Sequence, residues 1–124
     1  MSPTPLRVMI VDDNKDAADL QAAVVRSQGH EAEVEYSGAG AIRLAATFAP
    51  RVFLLDLALP DIDGFELVRR LRRLAPDARY VALTGYAPGA GGSLADQLFD
   101  EYVVKPMTPE MLAELLRRVA ASDR

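Results

Sequence analysis

Four short apolar runs in this chain each stop on a polar side chain, with longer stretches between them that read as helices. The runs are Leu6–Val11, broken only by Arg7, then Val52–Leu55, Tyr80–Leu83 and Tyr102–Val104. They stop at Asp12-Asp13-Asn14, at Asp56, at Thr84 and at Lys105. Continuous apolar runs this short suit strands covered on both faces. Glu31-Ala32-Glu33-Val34-Glu35-Tyr36 instead alternates charge and bulk, which predicts an edge strand with one wet face.

The intervening segments carry helical signals. Asn14 is a predicted N-cap for a helix to about Gln28, with Ala17, Leu20, Val24 and Ser27 at helical spacing and Gly29 as the stop. A second helix is predicted over residues 39–48, ended by Pro50. A third carries Leu67, Val68, Leu71 and Leu74 on one face and closes at Pro76. Thr108-Pro109 opens the last, striped by Met111, Leu112, Leu115, Leu116 and Val119. Strand–helix pairs repeated in this way predict a doubly wound parallel α/β sheet.

Composition narrows the function. With 124 residues the chain is one domain, predicted over residues 6–121 between tails at 1–5 and 122–124. It holds no cysteine, which excludes disulfides, thiolate metal sites and cysteine nucleophiles and fits a reducing cytoplasm. The net charge of −4 argues against direct nucleic-acid binding, which needs a basic face. No apolar run approaches the roughly 20 residues of a membrane span.

In an open parallel sheet, ligands bind beyond the carboxyl ends of the strands. Asp12, Asp13, Asp56, Thr84 and Lys105 are therefore expected to converge on one rim. Gathered carboxylates repel unless one takes up a proton or a cation neutralises them. Hard oxygen donors favour Mg²⁺ or a similar ion, which prefers one or two carboxylates and a phosphate. A phosphoryl group is then the missing partner, with Lys105 as its counter-charge and Thr84 as a hydroxyl donor. An Asp carboxylate can serve as nucleophile, forming an aspartyl-phosphate, and Asp56 stands alone at the end of a buried strand.

Four segments in order carry a family resemblance: Val11-Asp12-Asp13-Asn14, Leu55 to Gly64, Leu83-Thr84-Gly85 and Tyr102-Val103-Val104-Lys105-Pro106. The chain resembles a response-regulator receiver domain of bacterial two-component (phosphorelay) signalling. The resemblance implies a flavodoxin-like five-stranded sheet in the order 2-1-3-4-5. It implies that Asp56 accepts a phosphoryl group from a histidine kinase, hybrid kinase or phosphotransfer protein. Asp13, Asp56 and the backbone carbonyl of Ala58 would bind Mg²⁺, with Asp12 assisting. Thr84 and Lys105 would contact the phosphoryl oxygens, Tyr102 would be the switch aromatic, and the Lys105–Pro106 peptide is commonly cis. The first helix would dock the kinase, so that Ala17, Leu20 and Val24 are shared between core and docking.

The expected function is a switch that alters binding of a downstream protein target, not an enzyme, with a monomer or weak dimer as its form. The alternative is a degenerate receiver acting only as an interaction module. An aspartyl phosphatase of the haloacid-dehalogenase type is disfavoured, because Ala58 stands where its second Asp would be. Two departures matter. Pro88, Gly89, Gly91 and Gly92 predict a shortened or irregular fourth helix, at roughly 1 kcal/mol per Gly and 3 per Pro. In that family the positions of Ala58 and Tyr86 flank the path of the hydrolytic water, so the resemblance implies slow self-dephosphorylation here. His30 is expected on a surface loop, and Arg69, Arg70, Arg72 and Arg73 on a solvated face.

Overall fold

A computed structural model describes residues 5–85 and 98–122. Among these, the strands are β1 (Arg7–Val11), β2 (Glu31–Glu35), β3 (Val52–Asp56), β4 (Arg79–Thr84) and β5 (Glu101–Val104). The helices are α1 (Lys15–Ser27), α2 (Gly38–Phe48), α3 (Gly64–Leu74) and α4 (Pro109–Ser122). The strands form one parallel sheet in the order β2-β1-β3-β4-β5, as the resemblance implies. The 86–97 segment, with the irregular helix expected there, lies outside the described residues, as do Tyr86, residues 1–4 and residues 123–124.

Each sheet face buries its own apolar set. Val8, Ile10, Leu54, Val81 and Leu83 pack with the inner residues of α1 and α4. Met9, Val11, Phe53, Leu55 and Tyr80 pack with those of α2 and α3. Burying a Val, Leu or Phe side chain is worth roughly 1.5–3 kcal/mol. The two-sided burial of β1, β3 and β4 therefore holds the register that aligns their carboxyl ends. Strand β2, which reads wet on one face, is indeed at the edge.

Side-chain oxygens cap the helices, at Asn14 and Thr108 as the sequence predicts and at Ser37, which it does not single out. Asn14 Oδ1 accepts from the Ala17 N–H at 3.0 Å, and Thr108 Oγ1 from the Met111 N–H at 3.1 Å. Ser37 Oγ accepts from the Gly40 N–H of α2 at 3.1 Å. The two N–H groups before it, on Gly38 and Ala39, donate to the Asp61 carboxylate at 3.1 Å each. Three orphan donors of α2 are thus satisfied, two of them by the loop after β3. That loop sits close: a Cβ on Gly38 would lie 2.2 Å from Ile62 Cγ2, so a larger residue there would force the Ile62 side chain to shift.

Several expectations need correction. In α1 the buried residues are Ala18, Gln21, Ala22 and Val25, whereas Leu20 is 59 % exposed. Leu74 and Met111 also face outward, because α3 and α4 turn their other stripe residues to the sheet. His30 is half-buried and structural: its Nδ1 accepts from the Leu6 N–H at 2.9 Å, and burial lowers its pKa. Arg72 does not share the solvated face of Arg69, Arg70 and Arg73, but reaches back to the Leu98 carbonyl.

Candidate functional site

Parallel pairing delivers the polar residues to one rim. Asp56 is the last residue of β3, and Thr84 the last of β4, in register with Val104. Asp12 and Lys105 follow β1 and β5 directly and still bond to the neighbouring strands. The Asp12 N–H donates to the Glu35 carbonyl at 3.1 Å, and the Lys105 N–H to the Thr84 carbonyl at 2.7 Å. The backbone under each functional side chain is therefore part of the ladder. The Lys105–Pro106 peptide is cis.

Asp12, Asp13 and Asp56 come together: each offers a carboxylate oxygen within 4.8 Å of the others. Asp12 and Asp56 are buried and Asp13 is exposed. Lys105 Nζ lies 3.1 Å from Asp56 Oδ2. The other Asp56 oxygen, Oδ1, accepts from the Ala58 N–H at 2.9 Å, which turns the chain sharply after the strand. Asp12 Oδ1 accepts from the Asn14 N–H at 2.9 Å. Thr84 is buried at the same rim. Tyr102 sits two residues before Val104, on the sheet face it shares with Thr84.

The electrostatics are strained in one direction. Burial pushes the Asp12 carboxyl above its ordinary pKa, and the neighbouring Asp56 charge adds to the rise. The Asn14 N–H and the Lys105 ammonium act against it. Among the described residues three carboxylates gather around Lys105, so a further cation would relieve their repulsion. The donors are all hard oxygens, and one is open to solvent. This set fits a divalent ion of the Mg²⁺ or Ca²⁺ type.

A groove of about 240 Å³ opens beside the cluster, between α1 and the β5–α4 loop. Its walls include Ala17, Leu20, Val24 and Met107, and it reaches Asp12 and Lys105. The α1 residues that the periodicity marks as core are thus the wall of a groove next to the site. Gln21 also lines it, and its buried Oε1 has no hydrogen-bond partner among the described residues. Sequence reasoning passed over Gln21, since a glutamine on an amphipathic helix signals a wet face. It also missed Asp61, whose partners lie 22 and 23 residues away.

Comparison with known proteins places these features in context. The family model of the response regulator receiver domain matches residues 8–117. The transcriptional regulatory protein CreB of Escherichia coli is 36% identical over 117 residues, covering 90% of this chain and 51% of CreB. The transcriptional regulatory protein TrcR of Mycobacterium tuberculosis is 32% identical over 124 residues, covering 92% of this chain and 45% of TrcR. The chain thus spans about half the length of these curated relatives. A response regulator from Burkholderia pseudomallei, solved with a phosphorylated aspartic acid, calcium ion and citrate, superposes with a TM-score of 0.81. It is 29% identical, covering 94% of this chain and 69% of that one. The receiver domain of a Pseudomonas aeruginosa sensor histidine kinase, solved with magnesium in its active site cleft, gives a TM-score of 0.82 at 25% identity. That match covers 96% of this chain and 100% of the other.

Proposed function

The chain belongs to the response regulator receiver domain family, and on that premise we propose that it is a switch worked by phosphorylation of Asp56. The observation that carries this reading is the cluster itself: three carboxylates within 4.8 Å and the Lys105 ammonium 3.1 Å from Asp56. Asp13, Asp56 and the Ala58 carbonyl are the residues assigned to Mg²⁺, with Asp12 assisting. When bound, the ion would neutralise the charge that gathers between the carboxylates and an incoming phosphoryl group.

The remaining chemistry falls to the side chains. An Asp56 oxygen attacks the phosphorus of a phosphohistidine on the donor kinase or phosphotransfer protein. The O–P bond forms as the P–N bond breaks, and the imidazole leaves and takes up a proton. Transfer of this kind depends on positioning and charge stabilisation more than on a strong general base. Lys105 already touches Asp56 and can pair with the new phosphoryl oxygens. Thr84 donates its hydroxyl to the same oxygens, and Tyr102, on the same face, responds to that movement. A contact preference of roughly 5.5 kcal/mol would carry such a two-state element from 1:99 to 99:1.

The donor is assigned to the groove along Ala17, Leu20 and Val24, which ends at Asp12 and Lys105. The output is a changed surface for a downstream protein. The net charge of −4 supports a protein partner over nucleic acid. Among the described residues no helix is long and apolar enough to cross a membrane. We assign the chain to the cytoplasm, and assign it no catalysis beyond its own phosphorylation and slow dephosphorylation.

The test is incubation with acetyl phosphate, with and without Mg²⁺, followed by intact mass. The expected result is one added phosphoryl group that requires Mg²⁺ and is absent in Asp56→Asn. An unchanged mass under all conditions would favour an interaction module that works without phosphorylation.

A further inference from the structure

We propose that Arg72 is a positioning residue that clamps the entry of β5 onto α3 and thereby sets where the Tyr102 ring sits. Its bearing on signalling rests on the reading of Tyr102 as the responsive ring; the clamp itself stands on geometry. From the last turn of α3, Arg72 donates Nε and Nη2 to the Leu98 carbonyl at 2.9 and 2.7 Å. The same Nη2 lies 3.4 Å from Asp100 Oδ2. Arg72 therefore holds the residues on both sides of Phe99.

The clamp is fixed at its other end. Asp100 Oδ2 accepts from the Tyr80 N–H at 2.8 Å, and the Asp100 N–H donates to the Tyr80 carbonyl at 2.8 Å. The Arg72 guanidinium lies 4.4 Å over the Tyr80 ring, which stacks on Phe53 at 4.7 Å. The Tyr80 hydroxyl donates to the Ala75 carbonyl at 2.8 Å. Arg72 thus reads a carbonyl, a carboxylate and a ring face at once. A planar guanidinium can do this, and a lysine ammonium cannot.

Between its two held neighbours, Phe99 is buried and meets two rings edge-on. Phe65 of α3 lies 6.0 Å away at 70°, and Tyr102 lies 5.5 Å away at 62°. Edge-to-face packing is directional, so the place of the Phe99 ring constrains the place of Tyr102. Tyr102 in turn shares its sheet face with Thr84. A chain of contacts therefore runs from α3 to Tyr102, two residues before the strand position that pairs with Thr84. The helix dipole favours any cation in the last turn, but that accounts equally for exposed Arg73 and leaves the Leu98 contact unexplained.

The experiment uses the full chain labelled with fluorotyrosine, with Tyr102 assigned by Tyr102→Phe. In ligand-free protein, Arg72→Gln and Arg72→Lys are both expected to shift or broaden the Tyr102 fluorine resonance. Tyr36, on the far side of the sheet, should stay in place. With Mg²⁺ and beryllofluoride as phosphoryl mimic, the Tyr102 shift seen in the wild type is expected to be lost in both variants, while acetyl phosphate still adds a phosphoryl group. An unmoved Tyr102 in both variants overturns the clamp, as does equal movement of Tyr36, which would mean general loosening. A wild type that ignores beryllofluoride contradicts the switch reading instead, and the ligand-free comparison still decides the clamp.

Discussion

Lys105 and Asp56 meet across β4: the ammonium that follows β5 lies 3.1 Å from the carboxylate that ends β3. The Asp56 side chain is 4 % exposed, so it has little water to replace a lost partner. Lys105→Ala is therefore expected to lower the stability of the metal-free protein by about 1–3 kcal/mol, the usual cost of leaving a buried polar group without its partner. Saturating Mg²⁺ should restore part of the loss, since another cation then faces the cluster. Urea unfolding with and without the ion checks both statements, and equal stability of variant and wild type at low salt would contradict the first.

Asp12 tests the opposite sign. Asparagine keeps an oxygen for the Asn14 N–H and removes a buried charge. Like charges about 4 Å apart repel by about 1 kcal/mol even at the dielectric of water. Asp12→Asn is thus expected to raise metal-free stability by about 1 kcal/mol. It should also weaken Mg²⁺ binding by roughly 10–100-fold, the usual cost of losing a supporting group at a metal site. Thermal unfolding and calorimetric titration of the ion provide the two readings.

Asp61 gives the loop after β3 a pH-dependent grip on α2. The Gly38 and Ala39 N–H groups hold its carboxyl below the ordinary value of 3.8. A depressed folded pKa contributes stability that is present above the unfolded value and lost as pH falls through the folded one. Asp61→Ala is expected to cost about 1 kcal/mol at neutral pH, the usual worth of a helix cap, with some reduction for its exposure. The wild type and variant should converge in urea unfolding at strongly acidic pH. A gap that persists unchanged there would mean that the carboxylate is not the stabilising group.

What the sequence makes legible follows from periodicity. Runs such as Val52–Leu55 and Tyr80–Leu83 read directly as strands because a parallel strand is buried on both faces. Polar residues that stop such runs must share a rim, which is why Asp12, Asp56 and Lys105 were found together. The face of α1 was harder: Ala18, Gln21 and Ala22 carry little apolar signal, while the larger Leu20 points to solvent and Val24 is only partly buried at the core's margin. Contacts between distant segments carry no periodic trace. The Asp61 cap on α2 depends on a loop approaching Gly38, and the reach of Arg72 to Leu98 spans 26 residues. His30 is the loop residue that the sequence predicts, but its bond to the Leu6 N–H, 24 residues away, leaves no local trace.

Borohydride trapping tests the central claim most directly. The chain is treated with acetyl phosphate and Mg²⁺, reduced so that an acyl phosphate becomes homoserine, and digested for peptide mass analysis. Homoserine at position 56, and at no other aspartate, is the expected outcome. Reduction at Asp12 or Asp13 in place of Asp56, or a phosphoryl group on His30 that borohydride leaves untouched, would show that the reacting carboxylate has been misassigned.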